Sequence, residues 1–368
     1  MKILCFSSVF GTNDGYGQIT WELTKEVSKH HEITLLVPPQ KNKKEVNFEV
    51  KEILPEYIFD LKSKKILQYL FFDFDASGYD LIHSFFEFPY ALIAAKLAKK
   101  YKKSLIIGTQ GTYAIKPLFM FPEKYFLNWA YNTASMITAP SVFTRDHIQK
   151  FSPTKTPIQV IHNGLDFEKF QMTPPPRKKE YGDKKVLMTV GGLKARKGQD
   201  IVLRALGLLK KKRNDFLYIL VGSGELRGKL EEITKEEKIT ENVIFAGEVN
   251  SDRVAEKFHE CDIYVHTPVL GNWNFEGFGI VYLEAAACKK PIIASDSGGV
   301  KDAIIVRKTA LLVKESDVIG TAGAIEALLD DEQLRKDMGE AGFAYAKAHD
   351  WSIITQEFLE LYKKVAKG

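Results

Sequence analysis

The sequence predicts an α/β protein of two domains, each built on a parallel sheet with helices on both faces. Near-continuous apolar runs alternate with helix-length amphipathic segments along the whole chain, a pattern typical of sheets that are buried on both faces. The chain has 368 residues, which is too long for one ordinary hydrophobic core and suits two. A proline-rich segment near the middle of the chain separates the two halves.

That segment, "MTPPPRKKEYGDK" at 172–184, contains three consecutive prolines and a basic tail. It cannot continue a helix or a central strand. We therefore predict an N-terminal domain at 1–171, a linker at 172–184 and a C-terminal domain that begins at residue 185. Each domain is of ordinary size.

The apolar runs locate the strands of both domains. In the first half the predicted strands lie in "KILCFSSVF", "HEITLLVPP", "YDLIHSFF", "SLIIGTQG", "SMITAPS" and "IQVIHNG". In the second half they lie in "KKVLMTVGG", "DFLYILVGSG", "NVIFAGEV", "CDIYVHTPV" and "KPIIASDSGG". Glycine-rich turns follow many of these strands, and ligands of parallel sheets bind beyond the carboxyl ends of the strands. Two such edges that face each other would form one deep cleft between the domains.

Composition favours a soluble globular enzyme of a reducing compartment. The chain is 45% hydrophobic and 27% charged with a net charge of +5, which suits an anionic ligand without requiring a nucleic-acid partner. Its three cysteines, Cys5, Cys261 and Cys288, form no C-x-x-C pair, so we expect neither a disulfide framework nor a metal site. The apolar start is more typical of a buried strand than of a signal peptide, and no apolar run is long enough to span a bilayer. We expect a cytoplasmic protein.

A basic turn follows the first strand of the second half. In "GGLKARKGQD", from Gly191 to Asp200, Lys194, Arg196 and Lys197 precede a glycine that begins a helix. Fixed cations, a helix terminus and little steric bulk would suit a diphosphate. The turn lacks the P-loop pattern. A solvated basic loop is the alternative interpretation.

Two carboxylates interrupt the apolar pattern of "NWNFEGFGIVYLEAAACKKP". Glu276 and Glu284 are eight residues apart, which corresponds to about 12 Å along a helix, and the turn at Gly277–Gly279 can rotate the first one inward. Such a pair can hold two hydroxyl-rich groups, such as a sugar and a ribose at opposite ends of a diphosphate. The alternative is one solvent-facing glutamate and one buried salt bridge.

Two features of the first half are candidates for the same site. Gly15 and Gly17 lie in a turn that leads into a helix, where backbone can approach an anion. The turn is not the G-x-G-x-x-G pattern of dinucleotide-binding folds, and a plain turn is the alternative. His83 ends a predicted strand and can reach a cleft; a packed histidine is the alternative.

These residues together resemble the family-4 glycosyltransferases, a large retaining group with the GT-B fold. The strongest match is Glu276 and Glu284 with Phe278-Gly279 between them, followed by "KKPIIASDSGGVKDAI". Supporting matches are "VGGLKARKG", "VGSGELRGKLEE", "FAGEVNSDRVAEKFHECDIYVHTPV", "VIHNGLDFEKF" and "DLIHSFFEFP". The resemblance implies two Rossmann-like domains that face each other across a deep cleft, with a C-terminal helix at 351–368 that returns to the N-terminal, acceptor-binding domain. The C-terminal domain, at 185–350, would bind the nucleotide sugar.

The resemblance also implies roles for individual residues. Glu276 would contact the hydroxyls of the donor sugar, Glu284 the ribose hydroxyls, and Lys197 the diphosphate. The catalytic residues would be Lys197, Glu276, Gln110 and Arg196. The donor would be bound by Gly15, Gly17, Gly192, Lys197, Glu276, Gly277, Phe278, Gly279 and Glu284. The acceptor would be bound by His83, Gln110 and Tyr113. Neither a cofactor nor a metal is expected.

Two positions depart from the family pattern. The family commonly has arginine at the position of Gly192, where it pairs with the leaving diphosphate, and Lys194 or Arg196 are the candidates to replace it. It usually has histidine at the position of Gln110. Glutamine can donate and accept hydrogen bonds but cannot act as a general base near neutral pH.

The predicted function is transfer of a hexosyl group from a UDP- or GDP-sugar to a hydroxyl acceptor with retention of configuration. The acceptor would be a glycan or a lipid-linked molecule, because "YAIKPLFMFPEKYFLNWAYN" mixes aromatic and basic residues as interfacial helices do. Contact with the inner face of the membrane is the corresponding hypothesis, and ordinary core aromatics are its alternative. A nucleotide-sugar epimerase of the same architecture and a non-catalytic sugar-nucleotide-binding protein are the alternative functions.

Overall fold

A computed structural model describes residues 1–10, 15–39, 45–57, 66–250 and 253–366. The chain divides into two compact units, the first comprising Met1–Gly164 with Trp351–Gly368 and the second Leu165–Asp350. Each unit is built on a parallel sheet between helices. The predicted α/β class is confirmed. No helix within the described ranges combines the length and the hydropathy that a membrane span needs.

The first unit contains a seven-stranded sheet in the order β3-β2-β1-β4-β5-β6-β7. Its strands are β1 (Lys2–Phe6), β2 (Glu32–Val37), β3 (Glu49–Glu52), β4 (Leu81–Ser84), β5 (Ser104–Gly108), β6 (Met136–Ala139) and β7 (Ile158–Val160). Its helices are α1 (Gly15–Ser28), α2 (Ile66–Phe71), α3 (Tyr90–Tyr101), α4 (Thr112–Ile115), α5 (Glu123–Thr133), α6 (Val142–Phe151) and, from the chain end, α13 (Trp351–Ala366).

The second unit contains a six-stranded sheet in the order β10-β9-β8-β11-β12-β13. Its strands are β8 (Lys185–Val190), β9 (Phe216–Val221), β10 (Val243–Gly247), β11 (Ile263–His266), β12 (Ile292–Ser295) and β13 (Ala310–Val313). Its helices are α7 (Gln199–Lys210), α8 (Arg227–Glu236), α9 (Val254–Glu260), α10 (Ile280–Ala287), α11 (Val318–Asp330) and α12 (Glu332–Ala348).

The sheet of the second unit is buried on both faces, as its apolar strands predict. Alternate residues of β8 point to opposite sides: Val186 and Met188 pack in one apolar cluster, and Leu187 packs in the other. The first cluster includes Leu283 of α10 and the second includes Leu206 of α7. Two apolar layers therefore fix the strand register and hold the loops at the carboxyl edge in place.

Two strands were not predicted from the sequence. β3 has the sequence "EVKE" and lies at the edge of its sheet, where it pairs with β2. Its two charged ends and its partial exposure give it no apolar run. β13 is four residues long and also lies at an edge. Edge strands need only one buried neighbour, so their sequences carry a weaker signal than central strands do.

The proline-rich segment lies within the second unit, and the division between the units falls at Gly164 and Leu165. Tyr181 is buried and its hydroxyl donates to the Glu260 carboxylate at 2.7 Å. Helix α13 belongs to the first unit, where Ser104 donates to the carbonyl of Val365 at 3.0 Å.

In each sheet the strands that follow the first one in sequence lie on both sides of it, so the strand order changes direction there. β1 lies between β2 and β4, and β8 lies between β9 and β11. Parallel sheets bind ligands beyond the carboxyl ends of their strands at such a reversal. Functional side chains are therefore expected in the loops after β4, β8 and β11.

Candidate active site

The basic turn after β8 is folded tightly against the neighbouring strand ends. Gly191 has a φ of 141°, and residues Ala195–Lys197 form a single 3₁₀ turn. Gly198 then caps α7 at a φ of 66°. A Cβ atom added there would lie 1.8 Å from the carbonyl oxygen of Thr267. Only glycine fits this close approach, which brings the turn against the loop that follows β11.

Three charged side chains meet at this turn. The Lys197 ammonium lies 2.6 Å from Oε2 of Glu276, and Nη1 of the Arg196 guanidinium lies 2.9 Å from the same oxygen. The exposed fractions of the Lys197 and Glu276 side chains are 11% and 14%, against 31% for Arg196. Three of the residues predicted to act together are therefore in contact within the second unit. The solvated-loop alternative does not describe Lys197.

Electrostatics hold the cluster in its charged form. Burial disfavours the Glu276 carboxylate, but the attraction of Lys197 and the neighbouring His266 and Arg196 outweighs it and keeps the pKa of Glu276 well below its usual range. Burial lowers the pKa of Lys197, and Glu276 opposes that change. Burial also lowers the pKa of His266 to about 4. His266, whose Nε2 is 3.7 Å from Glu276, is therefore neutral near pH 7.

Glu276 lies in a loop, not in the helix that carries Glu284. The pair's separation cannot be read as eight helical residues, because Gly279 has a φ of 95° and α10 begins at Ile280. Phe278 is buried beside it and anchors the turn. The backbone of Glu276 is held from the other side, where the Gly299 amide donates to its carbonyl at 2.8 Å.

The turn at Gly298 completes this arrangement. Gly298 has a φ of 59°, and a Cβ atom there would lie 2.4 Å from the Glu276 carbonyl oxygen. The glycine turns on both sides, at 277–279 and 298–299, therefore meet around one glutamate. Gly277 and Gly279 are buried together with Phe278.

Glu284 is a buried carboxyl group on α10. It is 7% exposed, and neither a hydrogen bond nor an ion pair joins its side chain to another described residue. Burial raises the pKa of Glu284 to about 7, against a weaker opposing attraction from Lys169. A buried carboxylate without donors is costly, so this position is suited to hydroxyl donors from a ligand.

Gly192 leaves room beside the basic turn. A Cβ atom added there would make only ordinary contacts, at 3.6 Å to the carbonyl oxygen of Ser223 and 3.7 Å to Cε of Lys194. Lys194 is exposed, and within the described ranges no carboxylate pairs with it. Arg196 is already bound to Glu276. Of the two candidates to replace the arginine that the family has at position 192, Lys194 can therefore bind a diphosphate without giving up an ion pair to a described residue.

In the first unit, the residues predicted to contact the acceptor lie around the ends of β4 and β5. Gln110 follows β5; its backbone amide donates to the Glu87 carboxyl group at 3.1 Å, and its side-chain Oε1 accepts from Asn163 at 3.0 Å. Tyr113 lies on α4, with ring centroids 6.2 Å from Tyr16 and 6.1 Å from Tyr57.

His83 and the two glycines of the first unit lie as follows. Nδ1 of His83 is 2.9 Å from the hydroxyl of Tyr362 on α13, and burial lowers the pKa of His83 to about 3. His83 is therefore packed in the interior of the first unit, as in the alternative interpretation. Gly15 is the exposed first residue of α1, and Gly17 is buried one position beyond Tyr16. Residues 11–14 of the preceding turn lie outside the described residues.

Three polar residues of these clusters were not among the predicted site residues. Glu87 is fully buried after β4, Asn163 follows β7, and His266 ends β11. The available signal for each was its place just beyond a predicted strand, which many other polar residues share. Their side-chain contacts join positions 23 and 53 residues apart around Gln110, which a single sequence does not reveal.

The two halves of the chain match two family profiles. The profile of Glycosyl transferases group 1 matches residues 173–345, and that of Glycosyltransferase Family 4 matches residues 13–169. A glycosyltransferase of Methanocaldococcus jannaschii, MJ1178, is 27% identical over 79% of this chain and 77% of its own length. A Mycolicibacterium smegmatis protein is 30% identical over 58% of each chain. Its name is GDP-mannose-dependent alpha-(1-6)-phosphatidylinositol monomannoside mannosyltransferase.

Solved structures share the whole fold at low sequence identity. HepE of Anabaena, in complex with UDP and glucose, has a TM-score of 0.77 at 19% identity and covers 99% of both chains. WaaG, a glycosyltransferase involved in lipopolysaccharide biosynthesis, has a TM-score of 0.73 at 15% identity and covers 100% of both. At these identities the likeness shows the fold.

Proposed function

Because this chain belongs to the family-4, group 1 glycosyltransferases, we propose that it moves a hexosyl group from a nucleotide-diphosphate sugar to a hydroxyl acceptor. The transfer retains the anomeric configuration and needs no metal ion. The observation that carries the proposal is the cluster at the end of β8, where Lys197 and Arg196 share one oxygen of Glu276. Two cations beside a helix terminus suit a diphosphate, and the carboxylate suits sugar hydroxyls.

The donor would lie along the carboxyl edge of the second unit. Its diphosphate would contact Lys197 and the turn from Gly192, while the sugar would contact Glu276 and the backbone at 277–279. Its ribose would donate hydrogen bonds to Glu284, the buried carboxyl group that has no hydrogen-bond or ion-pair partner among the described residues. The relatives suggest GDP-mannose and UDP-glucose as first donors to test, since the mycobacterial protein is named for the former and HepE was solved with UDP and glucose.

The chemical step breaks the bond between the anomeric carbon and the diphosphate oxygen, and forms a bond from that carbon to the acceptor oxygen on the same face. The acceptor proton passes to an oxygen of the departing diphosphate, so the step is balanced without a protein base. That route fits Gln110, which cannot take up the proton. Lys197 and Arg196 would stabilise the negative charge that builds on the leaving group, which is the work a metal ion would otherwise do.

Donor turnover tests the proposal. The protein is incubated with GDP-mannose or UDP-glucose, with and without EDTA, and with glycan or lipid acceptors. We expect release of nucleoside diphosphate that persists in EDTA, and a product whose anomeric configuration by NMR equals that of the donor. An inverted product would overturn retention. An isomerised donor without transfer would favour the epimerase alternative, which the family matches do not favour.

Nucleotide-sugar affinity is expected to depend on pH through Glu284. The ionised form of Glu284 accepts hydrogen bonds from ribose hydroxyls better than the neutral form does. In the protein without ligand, the pKa of Glu284 is about 7. Binding therefore favours the ionised form, and affinity weakens as the pH falls below about 7, by up to about tenfold per pH unit. Isothermal titration with the intact nucleotide sugar measures this, because its diphosphate has no group that titrates in this range. Glu284→Gln should flatten the profile and weaken binding at pH 8; an unchanged profile would contradict the assignment.

We also propose that the acceptor is presented at a membrane surface. On α5 and the turn before it, Phe119, Phe121, Tyr125 and Trp129 are 49%, 70%, 59% and 37% exposed. Lys124 lies over the ring of Tyr125 at 4.9 Å. Exposed aromatics with basic neighbours are typical of surfaces that bind anionic lipid headgroups. The names of the mycobacterial relative and of WaaG, which mention phosphatidylinositol and lipopolysaccharide, support the same acceptor class.

Vesicle sedimentation tests the membrane contact. We expect the wild-type protein to sediment with anionic phospholipid vesicles at low salt, and the double variant Phe121→Ser, Tyr125→Ser to lose at least half of that binding. Ile319→Ser is the matched control, because Ile319 is 77% exposed but lies on α11 of the second unit. Equal sedimentation of both variants, or none of the wild type, would remove the proposal without affecting the donor site.

A further inference from the structure

The backbone at residues 108–110 is held by four contacts of the first unit. The preceding Thr109 donates its amide to the Thr138 carbonyl at 2.9 Å and its hydroxyl to the same carbonyl at 2.8 Å. The Gln110 amide itself donates to Glu87 at 3.1 Å. Before them, Gly108 lies so close to Phe85 that a Cβ atom would be 2.7 Å from its carbonyl oxygen. The backbone at position 110 therefore has little freedom.

The Glu87 side chain is a firm anchor because it is fully buried. Burial raises the pKa of Glu87 to about 8, against the opposing effect of backbone donors including the Gln110 amide. Near pH 7 most of this group is a neutral acid, which is far less costly to bury than a carboxylate. Its Oε2 accepts the Gln110 amide, and its Oε1 is buried without a partner among the described residues.

The Gln110 side chain is fixed at one end only. Asn163 is 7% exposed, and its Nδ2 donates to Oε1 of Gln110 at 3.0 Å. Nothing in the described ranges accepts a hydrogen bond from Nε2 of Gln110, which is not sealed in the interior. An amide whose oxygen is bound in this way presents its two N–H donors, since the oxygen and the NH₂ group lie on opposite sides of the amide carbon.

We propose that Asn163 is a positioning residue that fixes the Gln110 amide with its NH₂ group presented to the substrate, so that position 110 donates a hydrogen bond to a substrate oxygen. That oxygen is a sugar hydroxyl or a phosphate oxygen. The identity of the substrate rests on the proposed function, whereas the amide orientation rests on the first unit alone. Glu87 supports the arrangement by holding the Gln110 backbone.

Asn163 donates the hydrogen bond to Gln110, so replacing Asn163 with an acceptor should reverse the orientation of the Gln110 side-chain amide. In Asn163→Asp the side chain keeps its shape, but a carboxylate can only accept, so Gln110 must turn its NH₂ group inward and its oxygen toward the substrate. In Gln110→Glu the carboxylate keeps the bond from Asn163 and presents an oxygen directly. Both variants should lower kcat/KM for transfer by about tenfold or more, because a donor is replaced by an acceptor that faces an oxygen. Asn47→Asp, at an exposed position before β3 in the same unit, is the charge-matched control and should leave kcat/KM unchanged.

A readout that does not depend on activity separates this inference from the proposed function. In ¹⁵N spectra of the full chain, the Gln110 side-chain signals are identified by their loss in Gln110→Glu. In Asn163→Asp one of these protons should shift downfield, as expected for a bond to a carboxylate. An unshifted signal in a folded variant, or full transfer activity in both variants, would overturn the inference. Absence of transfer in the wild type with the shift present would instead count against the proposed function alone.

Binding measurements identify which oxygen Gln110 contacts. If Gln110→Glu weakens binding of the free nucleoside diphosphate and of the nucleotide sugar equally, Gln110 donates its hydrogen bond to a phosphate oxygen. If it weakens binding of the nucleotide sugar only, Gln110 donates to a sugar hydroxyl. No change in either, together with unchanged transfer, would show that position 110 makes no contact and would remove the inference.

Discussion

Replacing Lys197 with alanine should lower the rate of sugar transfer by about 10²–10³, which is the usual cost of losing one preorganised charge at a leaving group. Lys197 is the most buried cation of the basic turn, with 11% of its side chain exposed. A fixed and largely desolvated ammonium interacts more strongly with developing charge than a solvated one does. Single-turnover measurements with saturating donor would isolate this effect from donor binding.

Two comparisons make the Lys197 result interpretable. Lys229→Ala removes the same charge from an exposed position on α8 of the same unit, and it should leave transfer unchanged. Arg196→Ala should have a smaller effect than Lys197→Ala, because Arg196 is 31% exposed and its charge is better screened by solvent. Full activity in a folded Lys197→Ala protein would show that the basic turn does not bind the leaving group.

Most of the fold could be predicted because its signal is local. Central strands such as β8 and β9 are apolar on both faces, and the sequence shows this as uninterrupted apolar runs. The edge strand β3 could not be predicted, because "EVKE" owes its strand conformation to pairing with β2 rather than to its own pattern. The residues of the basic turn and the two glutamates could be predicted, since glycine turns and charges at strand ends are visible in the chain.

The geometry of those residues could not be predicted in the same way. Spacing suggested that Glu276 and Glu284 share one helical element, but the positive φ of Gly279 separates them. The contact of Gln110 with Asn163 depends on two strands, β5 and β7, that are not neighbours in the sheet. The family pattern has histidine at the position of Gln110, whereas the hydrogen bond from Asn163 to Gln110 is visible only in the folded chain.

Glu276→Gln should have opposite effects on product binding and on sugar transfer. In the structure, Oε2 of Glu276 receives hydrogen bonds from both Lys197 and Arg196, so the carboxylate occupies the cations that a diphosphate would use. Glutamine keeps the shape but removes the negative charge. A nucleoside diphosphate should then bind more tightly, by about tenfold, because it no longer competes with a carboxylate for these cations and is no longer repelled by it.

Transfer should fall in the same variant by about tenfold. A hydrogen bond from a sugar hydroxyl to a charged acceptor is stronger than one to a neutral amide by about 1–1.5 kcal/mol. Calorimetry with the nucleoside diphosphate and initial rates with the nucleotide sugar measure the two effects separately. Glu225→Gln, which removes an exposed charge in the loop after β9, is the control for the change in net charge.

The combination of the two outcomes is what distinguishes the proposed site from a structural ion pair. If Glu276 only stabilised the fold, its replacement would leave the buried Lys197 ammonium and the partly exposed Arg196 guanidinium without their counter-charge, which is destabilising. Both binding and transfer would then decline together, along with the melting temperature. Tighter diphosphate binding with slower transfer requires that Lys197 and Arg196 face the phosphates and that Glu276 faces the sugar. Weaker binding of the nucleoside diphosphate to a folded Glu276→Gln protein would place the leaving group elsewhere.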